Sequence, residues 1–588
     1  MDAILDGRLF YSGVSMKQDA TKLPNGAEVI SDVCIIGAGP AGMTAAREFL
    51  KTSYTVSLLE SGGHAYHHDT QMLSHGEISG DINEAQESMH LRQIGGTANN
   101  WILQMTDDEY GYRYTPFDAI DFEQRDEIPF SGWPITKADL DPYYERVHAV
   151  CGIGHYDYSA EYWARGKHQP INFRSDAVYN SVFTFGPTKK FTKEFPEKIA
   201  ASKNVTIYFH ATVVELLCGE DGGEVTTAVV RMFDGKEVYF KAKQFIITSN
   251  ALQTPRLLLN SNKTHPEGIG NQHDNVGRYY MDHNLVPFGL FYPNDPSIIN
   301  DLGFYDMQNV DGSSILGRIS LSSEALKKHK LRNFAVMLFP STWNQHDVDA
   351  MTSVNVFRMM PHQIYTLRFP IELAKHIYNL VREPLTLARH LRNILRGRKR
   401  LMIAVYEKFR YGIPVFLGLG RGGWSRVSNN QRKYDHLELL GIVEQSPNPD
   451  NRITLIDEKD ALGCRKTKLH YICAEEDIDS VKRAQKILQD AFMDIKLGGF
   501  HLPEITADVM KSSTGLHHML GTTRMSDDPK NGVVDRDCRV HGVRNLFIAG
   551  SSVFTTGSYA NPTLTNLAIS IRTSDKVISL LEMMEVEV

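Results

Sequence analysis

The fold is decided by a stretch near the amino terminus, which reads Asp32-Val-Cys-Ile-Ile-Gly37-Ala-Gly39-Pro-Ala-Gly42-Met-Thr-Ala-Ala-Arg-Glu-Phe-Leu50 and then Tyr54-Thr-Val-Ser-Leu-Leu-Glu60-Ser-Gly-Gly63. An apolar strand enters a turn with glycines at its first, third and sixth positions. An alanine-rich helix follows, and a second apolar strand ends at an acid. The three glycines allow a tight turn, close approach of a pyrophosphate and close packing of helix on strand. The stretch therefore predicts a Rossmann-like dinucleotide-binding unit in an α/β domain.

The first helix and the acid supply the expected cofactor contacts. A helix that begins after Gly39 offers free N–H groups and the positive end of its dipole to a pyrophosphate. Glu60 ends the second strand, where a carboxylate can accept hydrogen bonds from a ribose. We therefore expect Gly37, Gly39, Gly42 and Glu60 to bind the cofactor. The motif itself leaves FAD and NAD open, although the ending Glu60-Ser-Gly-Gly63 is typical of FAD enzymes.

Length and composition limit the class of protein. At 588 residues the chain exceeds what one hydrophobic core usually supports, so two domains are expected. The formal net charge of −7 gives no reason to expect a nucleic-acid partner. The six cysteines form no C-x-x-C pair and no metal-ligand spacing, which predicts reduced, buried thiols and no metal site. With no signal-peptide pattern and no apolar run near the ~20 residues that span a bilayer, the sequence predicts a cytoplasmic protein without an integral membrane segment.

The middle of the chain adds elements to the first sheet and leaves two interpretations open. Strand-like runs, with hairpin turns at Asp221-Gly-Gly223 and Asp234-Gly235, lead to a buried strand at 245–251. This pattern predicts that the chain returns to the first sheet after an antiparallel excursion. Asp282-His283 invites a catalytic role, with a structural hydrogen-bond pair as the favoured alternative. Residues 371–410 are basic and helical in pattern, which fits a solvated helix face or docking to an acidic partner or a membrane surface.

Two further stretches have the composition of a site. Arg92-Gln-Ile-Gly95-Gly96-Thr97-Ala-Asn99-Asn100-Trp101 suits backbone contact with a cofactor ring, or equally a buried turn. Near the end, Gly515-Leu-His517-His518-Met-Leu-Gly521-Thr522 precedes a strand at 546–549, which should join the first sheet and enters Gly550-Ser551. Asn561-Pro562-Thr563 then opens a helix with an amide in capping position and an early proline. This gives a second helix N-terminus able to face a cofactor.

Together these motifs resemble those of the glucose–methanol–choline (GMC) family of FAD oxidoreductases, in the family's order and over nearly the whole chain. Two motifs, Asn561-Pro-Thr-Leu-Thr near the carboxy terminus and Gly-Gly-Thr-x-x-Asn-Trp at 95–101, are most similar to its pyranose oxidase and sugar dehydrogenase branch. The resemblance implies an FAD-binding domain formed by residues 30–160, 195–285 and 511–588. It implies an α+β substrate-binding domain with an antiparallel sheet, formed by residues 161–194 and 286–510.

The resemblance also implies the roles of individual residues. His518 occupies the position of the family's base, which removes a hydroxyl proton while hydride leaves carbon for flavin N5, and Asn561 occupies the position of its partner. An amide can bind the substrate oxygen without taking the proton, so His518 is the candidate base; a core histidine satisfied by backbone is the alternative. Imidazole suits this task because its ordinary pKa of ~6.5 leaves it largely neutral at pH 7. The further residues expected to contact FAD are Gly96, Thr97, Asn99, Asn100, Val213, Gly550, Ser551, Asn561, Pro562 and Thr563.

The implied activity is FAD-dependent oxidation of a secondary hydroxyl of a sugar or glycoside to a ketone, with O2 or an electron carrier as acceptor. The alternatives are an oxidoreductase of non-sugar alcohols and a lyase on the same fold with a structural flavin. The pyranose oxidase branch attaches flavin through a histidine before the tryptophan, where this chain has Asn100. Because an amide cannot form that bond, we predict noncovalent FAD. A homo-oligomer is compatible with the sequence.

Overall fold

The computed structural model describes residues 16–341, apart from 83, 101–102, 105–109 and 167, and residues 434–586, apart from 513–515. Outside these ranges it describes short pieces at 3–5, 8–10, 353, 373–382, 384, 388, 406–408, 414–416 and 425. Two large β-sheets organise the described chain.

The first of these sheets, called the dinucleotide sheet below, contains the glycine turn. Its described strands lie in the order Val213–Cys218, Val225–Arg231, Glu237–Ile247, Glu28–Ile36, Val56–Leu59, Val205–Phe209 and Lys17–Asp19, with Leu546–Ile548 beside Glu237–Ile247. The strands on either side of the turn are parallel, with Val33 aligned to Val56 and Ile36 to Ile247. The apolar side chains from Val33 to Ile36 and throughout Val56–Leu59 are buried on both faces, as is usual for parallel strands covered by helices.

Both predicted returns of the chain to this sheet are confirmed. The first part of Glu237–Ile247 pairs antiparallel with Val225–Arg231. The end of the same strand, from Phe245 to Ile247, pairs parallel with Leu546–Ile548. One long strand therefore joins the antiparallel excursion to the parallel core and holds the carboxy-terminal segment beside the glycine turn.

The second sheet is antiparallel, which confirms the expected α/β domain accompanied by an antiparallel sheet. Its described strands lie in the order Gly498–His501, Asn284–Pro293, His436–Val443, Phe334–Ser341, Ser313–Leu321, Val178–Pro187, Tyr110–Tyr114 and Leu103–Gln104, with Gln308–Val310 beside Ser313–Leu321. The central strands are buried along their whole length. Tyr110–Tyr114, which the predicted boundaries place in the FAD-binding domain, pairs here with Val178–Pro187.

Smaller sheets and helices complete the described chain. A three-stranded sheet contains Arg452–Lys459, Arg465–Tyr471 and Glu77–Gly80, and two hairpins pair Ala3–Leu5 with Arg8–Phe10 and Tyr406–Lys408 with Pro414–Phe416. The described α-helices are Pro40–Glu48, His68–Met72, Ala119–Phe122, Lys137–Cys151, Ala160–Trp163, Phe195–Ala200, Gln253–Asn260, Ser323–His329, Leu373–Arg382, Glu475–Asp494, Ala507–Ser512 and Thr563–Val586. None of these described helices combines the length and the apolar character needed to cross a bilayer. Most of the basic segment 371–410 lies outside the described residues.

The carboxy-terminal helix Thr563–Val586 is packed against the first helix, Pro40–Glu48, and against Lys137–Cys151. Arg146 ties the three helices together, because its guanidinium pairs with Glu48 at 2.7 Å and also with Asp575. These ion pairs join the end of the first helix to the middle of the carboxy-terminal helix. The first residues of the two helices, Pro40 and Thr563, nevertheless line the same cavity.

Candidate active site

The glycine turn is shaped to receive a phosphate group. Gly37 has φ +107°, a conformation that favours glycine, and no side chain caps the helix that begins after Gly39. A Cβ on Gly39 would meet no atom within 4 Å, because this position faces open space. A Cβ on Gly42 would lie 1.8 Å from the carbonyl oxygen of Gly37. The turn is therefore closely packed beneath and open above, and these residues fit the pyrophosphate of a dinucleotide.

Glu60 lies buried beside this turn. Its Oε2 accepts a hydrogen bond from the backbone N–H of Ala38 at 3.0 Å, and its Oε1 accepts one from Gly62 at 2.8 Å. Burial raises the pKa of the Glu60 carboxyl, and the two N–H donors oppose this shift. The carboxylate borders the same cavity as the glycine turn, where its remaining lone pairs can receive ribose hydroxyls.

One cavity connects the glycine turn to the carboxy-terminal motifs. Ten of the predicted site residues lie in its wall: Gly37, Gly39, Glu60, Gly96, Thr97, Val213, His518, Ser551, Pro562 and Thr563. The other five lie outside the wall as far as the structure describes it: Gly42, Asn99, Asn100, Gly550 and Asn561. The Asn99 amide donates to the carbonyl oxygens of Ile94 and Gly96 at 2.9 and 2.8 Å. Asn99 therefore fixes the loop that presents Gly96 and Thr97.

His518 also lies in the wall of this cavity, and the residue is 5% exposed. Its Nε2 lies 2.8 Å from the amide nitrogen of Asn561 and 2.5 Å from the hydroxyl of Tyr112. Its Nδ1 lies 2.8 Å from Nδ1 of His283. Burial lowers the pKa of His518 well below its usual value, and the nearby His283, Arg113 and His517 lower it further. His518 is therefore an unprotonated imidazole at neutral pH, as a general base requires.

The Asn561 side chain forms hydrogen bonds with His518 and Tyr112 and does not cap the helix that follows it. The helix begins at Thr563, and the Asn561 amide donates to the Tyr112 hydroxyl and to His518 Nε2, each at 2.8 Å. The side-chain oxygen of Asn561 has no partner in the described part of the chain, so the capping interpretation is wrong. The predicted pairing of Asn561 with His518 is present.

Two residues around the cavity, Tyr112 and Arg92, were not predicted from the sequence. Tyr112 belongs to the antiparallel sheet, so its contact with His518 depends on how the two sheets meet. Arg92 is held by the side-chain oxygens of Ser61, Ser74 and Gln253 at 2.5–2.9 Å, and burial lowers its pKa to about 10. The position of Arg92 just before Gly95-Gly96 is the one signal in the sequence that points to it.

His283, which was expected to form a structural hydrogen-bond pair with Asp282, makes different contacts. Asp282 Oδ1 accepts the backbone N–H of His283 at 2.7 Å and that of His518 at 2.9 Å. The His283 side chain instead contacts His518 and the carbonyl oxygen of Gly557. Asp282 therefore joins two backbone segments, and His283 contacts the candidate base directly.

The chain is similar to known proteins over much of its length. A family profile described as FAD dependent oxidoreductase matches residues 32–362, and one for the carboxy-terminal part of GMC oxidoreductase matches residues 447–570. The fructose dehydrogenase large subunit of Gluconobacter japonicus is 25% identical over 488 residues, which cover 82% of this chain and 68% of the relative. Pyranose 2-oxidase of Tricholoma matsutake is 28% identical over 145 residues, which cover 24% of this chain and 25% of the relative.

A solved structure of formate oxidase from Aspergillus oryzae RIB40 superposes on this chain with a TM-score of 0.50. The superposition covers 95% of this chain and 99% of the other at 16% sequence identity. At that identity the likeness concerns the fold alone.

Proposed function

The chain belongs to the FAD-dependent oxidoreductases and carries the carboxy-terminal domain of the GMC family, and from this premise we propose that it oxidises a secondary hydroxyl of a sugar or glycoside to a ketone. The observation that carries the proposal is the placement of His518, with Nε2 2.8 Å from the Asn561 amide, in the wall of the cavity that the glycine turn also lines. The choice of a sugar is supported by the relatives, a fructose dehydrogenase subunit and a pyranose 2-oxidase.

The residues of the cavity fit FAD along its length. The glycine turn would hold the pyrophosphate through the free N–H groups of the first helix, and Glu60 would accept the ribose hydroxyls. Thr97 and Thr563 would flank the ring system, on the wall near His518. When bound, FAD supplies flavin N5 as the acceptor of the substrate hydride.

His518 would take the hydroxyl proton. Burial keeps this imidazole neutral, so Nε2 can form a bond to the proton as the substrate O–H bond breaks. The Asn561 amide can donate to the same oxygen while it is bound. In this structure the Tyr112 hydroxyl lies 2.5 Å from His518 Nε2, so a substrate hydroxyl would replace it as the hydrogen-bond partner of this nitrogen. Burial raises the pKa of Tyr112 to about 12, so this phenol stays protonated and does not compete for the proton.

Three finer points belong to the same proposal. FAD is held noncovalently, since Asn100 offers an amide where a ring nitrogen would be needed. Electrons leave to O2 or to an electron carrier. The protein resides in the cytoplasm, in keeping with six cysteines that form no disulfide.

The test is anaerobic bleaching of the flavin absorbance by D-fructose, D-glucose, a methyl glucoside and propan-2-ol. We expect a sugar or glycoside to bleach the flavin, and admission of air then separates an oxidase from a dehydrogenase. Bleaching by propan-2-ol alone would replace the sugar assignment by a non-sugar alcohol. A flavin that dithionite reduces but no compound bleaches would contradict the proposal and favour the lyase.

The role of His518 is tested by His518→Ala. The variant should retain FAD and reduce it about 10²–10⁴-fold more slowly, the range for losing a positioned base. His148→Ala is the matched control, because His148 is also a buried histidine with two hydrogen bonds but contacts Gly154 and Tyr158. Full reduction rates in His518→Ala would remove this residue from the mechanism.

A further inference from the structure

His283 is a fully buried histidine that contacts the candidate base on the side away from the cavity. It precedes the strand Asn284–Pro293 of the antiparallel sheet. Asp282 binds the backbone N–H groups of both His283 and His518, which fixes the two residues relative to each other. The distance of 2.8 Å between the two Nδ1 atoms requires that one of them carry a proton and the other a lone pair.

The partner of the other ring nitrogen decides which Nδ1 is the donor. His283 Nε2 lies 3.0 Å from the carbonyl oxygen of Gly557, which can only accept. His283 Nε2 must therefore carry the proton, and a neutral His283 then has its lone pair on Nδ1. His518 Nδ1 must donate to that lone pair, so a neutral His518 has its own lone pair on Nε2.

The contacts on the cavity side of His518 agree with this assignment. An amide nitrogen has hydrogens and no lone pair to offer, so Asn561 can only donate to His518 Nε2. The Tyr112 hydroxyl can donate to the same atom. Both neighbours therefore match an unprotonated Nε2. Burial lowers the pKa of His283 to about 4, so at neutral pH this ring remains neutral and keeps its accepting lone pair.

We propose that His283 is a positioning residue that fixes the tautomer of His518, so that the base presents its lone pair to the substrate hydroxyl. The inference rests on the proposed function, since it assigns a role relative to His518 as the base. Without His283, the proton of a neutral His518 is free to move to Nε2, and that tautomer cannot take a proton from the cavity. When His518 accepts the substrate proton at Nε2, it becomes an imidazolium that still donates its Nδ1–H to His283.

The first experiment compares two substitutions in the FAD-loaded protein. His283→Asn places a side-chain oxygen near the former Nδ1 and can still accept from His518, whereas His283→Leu cannot. With the sugar of the panel that bleaches the flavin fastest, we expect His283→Leu to lower the limiting rate of flavin reduction about 10²–10⁴-fold. His283→Asn should stay within about tenfold of the wild type. The substrate concentration at half-saturation should change little in either, because neither variant alters a group that faces the cavity.

A second measurement reads the tautomer without any substrate. In the FAD-loaded protein labelled with ¹⁵N in histidine alone, the signals of His518 are identified by their loss in His518→Ala. We expect an unprotonated Nε2 and a protonated Nδ1 in the wild type and in His283→Asn, and a protonated Nε2 in His283→Leu. If His283→Leu fails to retain FAD, His283→Met replaces it, and His148→Leu controls for loss of a buried histidine.

Each outcome bears on one claim. A protonated Nε2 in the wild type, or equal reduction rates in His283→Asn and His283→Leu, would overturn the role of His283. A His518→Ala variant that reduces its flavin at the wild-type rate would overturn the proposed base instead. A slow His518→Ala together with fast His283 variants would leave the base in place and reject the positioning residue alone.

Discussion

Replacement of Gly39 by alanine tests the cofactor site without disturbing the fold. Gly39 has φ −76° and ψ −173°, extended backbone that alanine adopts freely, and its added Cβ would meet no atom within 4 Å. The methyl group would instead occupy the space through which a pyrophosphate reaches the helix N-terminus. Carbon contacts of ~3.5–4.0 Å would hold the phosphate beyond the ~2.7–3.2 Å of an N–H···O bond. Loss of two such bonds, each worth ~1.5 kcal/mol or more, weakens FAD binding by at least about 100-fold.

Gly42→Ala is the matched comparison, because its Cβ has no room. That atom would lie 1.8 Å from the Gly37 carbonyl oxygen and 2.6 Å from Thr248 Oγ1, so the helix must move away from the turn. Overpacking of this kind costs ~1–3 kcal/mol or more. We expect Gly42→Ala to lose FAD and also to lower the Tm of the flavin-free protein by about 1–3 °C.

The assay for both variants is flavin content per chain, FAD affinity by equilibrium dialysis, and thermal unfolding of the flavin-free protein by circular dichroism. Gly39→Ala should unfold at the wild-type temperature while it binds FAD at least about 100-fold more weakly. Wild-type FAD affinity in Gly39→Ala would refute the assignment of the pyrophosphate to this turn. Equal destabilisation of the two variants would refute the packing argument that separates them.

Three further outcomes follow from the structure. Acid precipitation should release all of the yellow flavin to the supernatant, and flavin that stays with the pellet would contradict the assignment at Asn100. The rate of flavin reduction should stay constant as pH falls from about 8 to 6.5, because the lowered pKa of His518 moves its protonation to more acid pH. Stopped-flow measurements in which the reduction rate falls with a midpoint near pH 6.5 would argue against this. Arg125 and Glu444 form an ion pair whose side chains are 2% and 0% exposed. Glu444→Gln should lower the free energy of unfolding by ~3–5 kcal/mol in denaturant titrations, because it leaves the Arg125 charge buried without its partner. The double variant Arg125→Met with Glu444→Leu removes both charges and should lower the free energy of unfolding by less.

The elements around the glycine turn were predictable because their signals are local. Strand, turn, helix and second strand follow one another within about thirty residues, and each has the periodicity or composition of its type. The family resemblance is confirmed by the profile matches at 32–362 and 447–570. Lys17–Asp19 was missed, because three residues carry no periodicity and become a strand only through parallel pairing with Val205–Phe209.

The site was predictable where a residue lies within a motif. His518 and Asn561 are in contact, as expected from the two carboxy-terminal motifs. Tyr112 could not be found in this way, because its place beside His518 follows from the pairing of Tyr110–Tyr114 with Val178–Pro187 and from the contact between two sheets. The predicted domain boundaries and the individual roles of the cofactor contacts stay predictions.

The packing of the carboxy-terminal helix on the first helix determines when the dinucleotide sheet can be completed during translation. The glycine turn leaves the ribosome early, but Leu546–Ile548 and Thr563–Val586, which complete its sheet and cover its helix, are translated roughly 500 residues later. At ~5–20 residues per second that interval is about 25–100 s. During this time the nascent chain exposes the apolar surface that the carboxy-terminal helix later covers, which a domain made from one continuous segment would bury sooner. FAD capture is therefore a late event, because Pro562 and Thr563 of the cavity wall are translated long after the glycine turn.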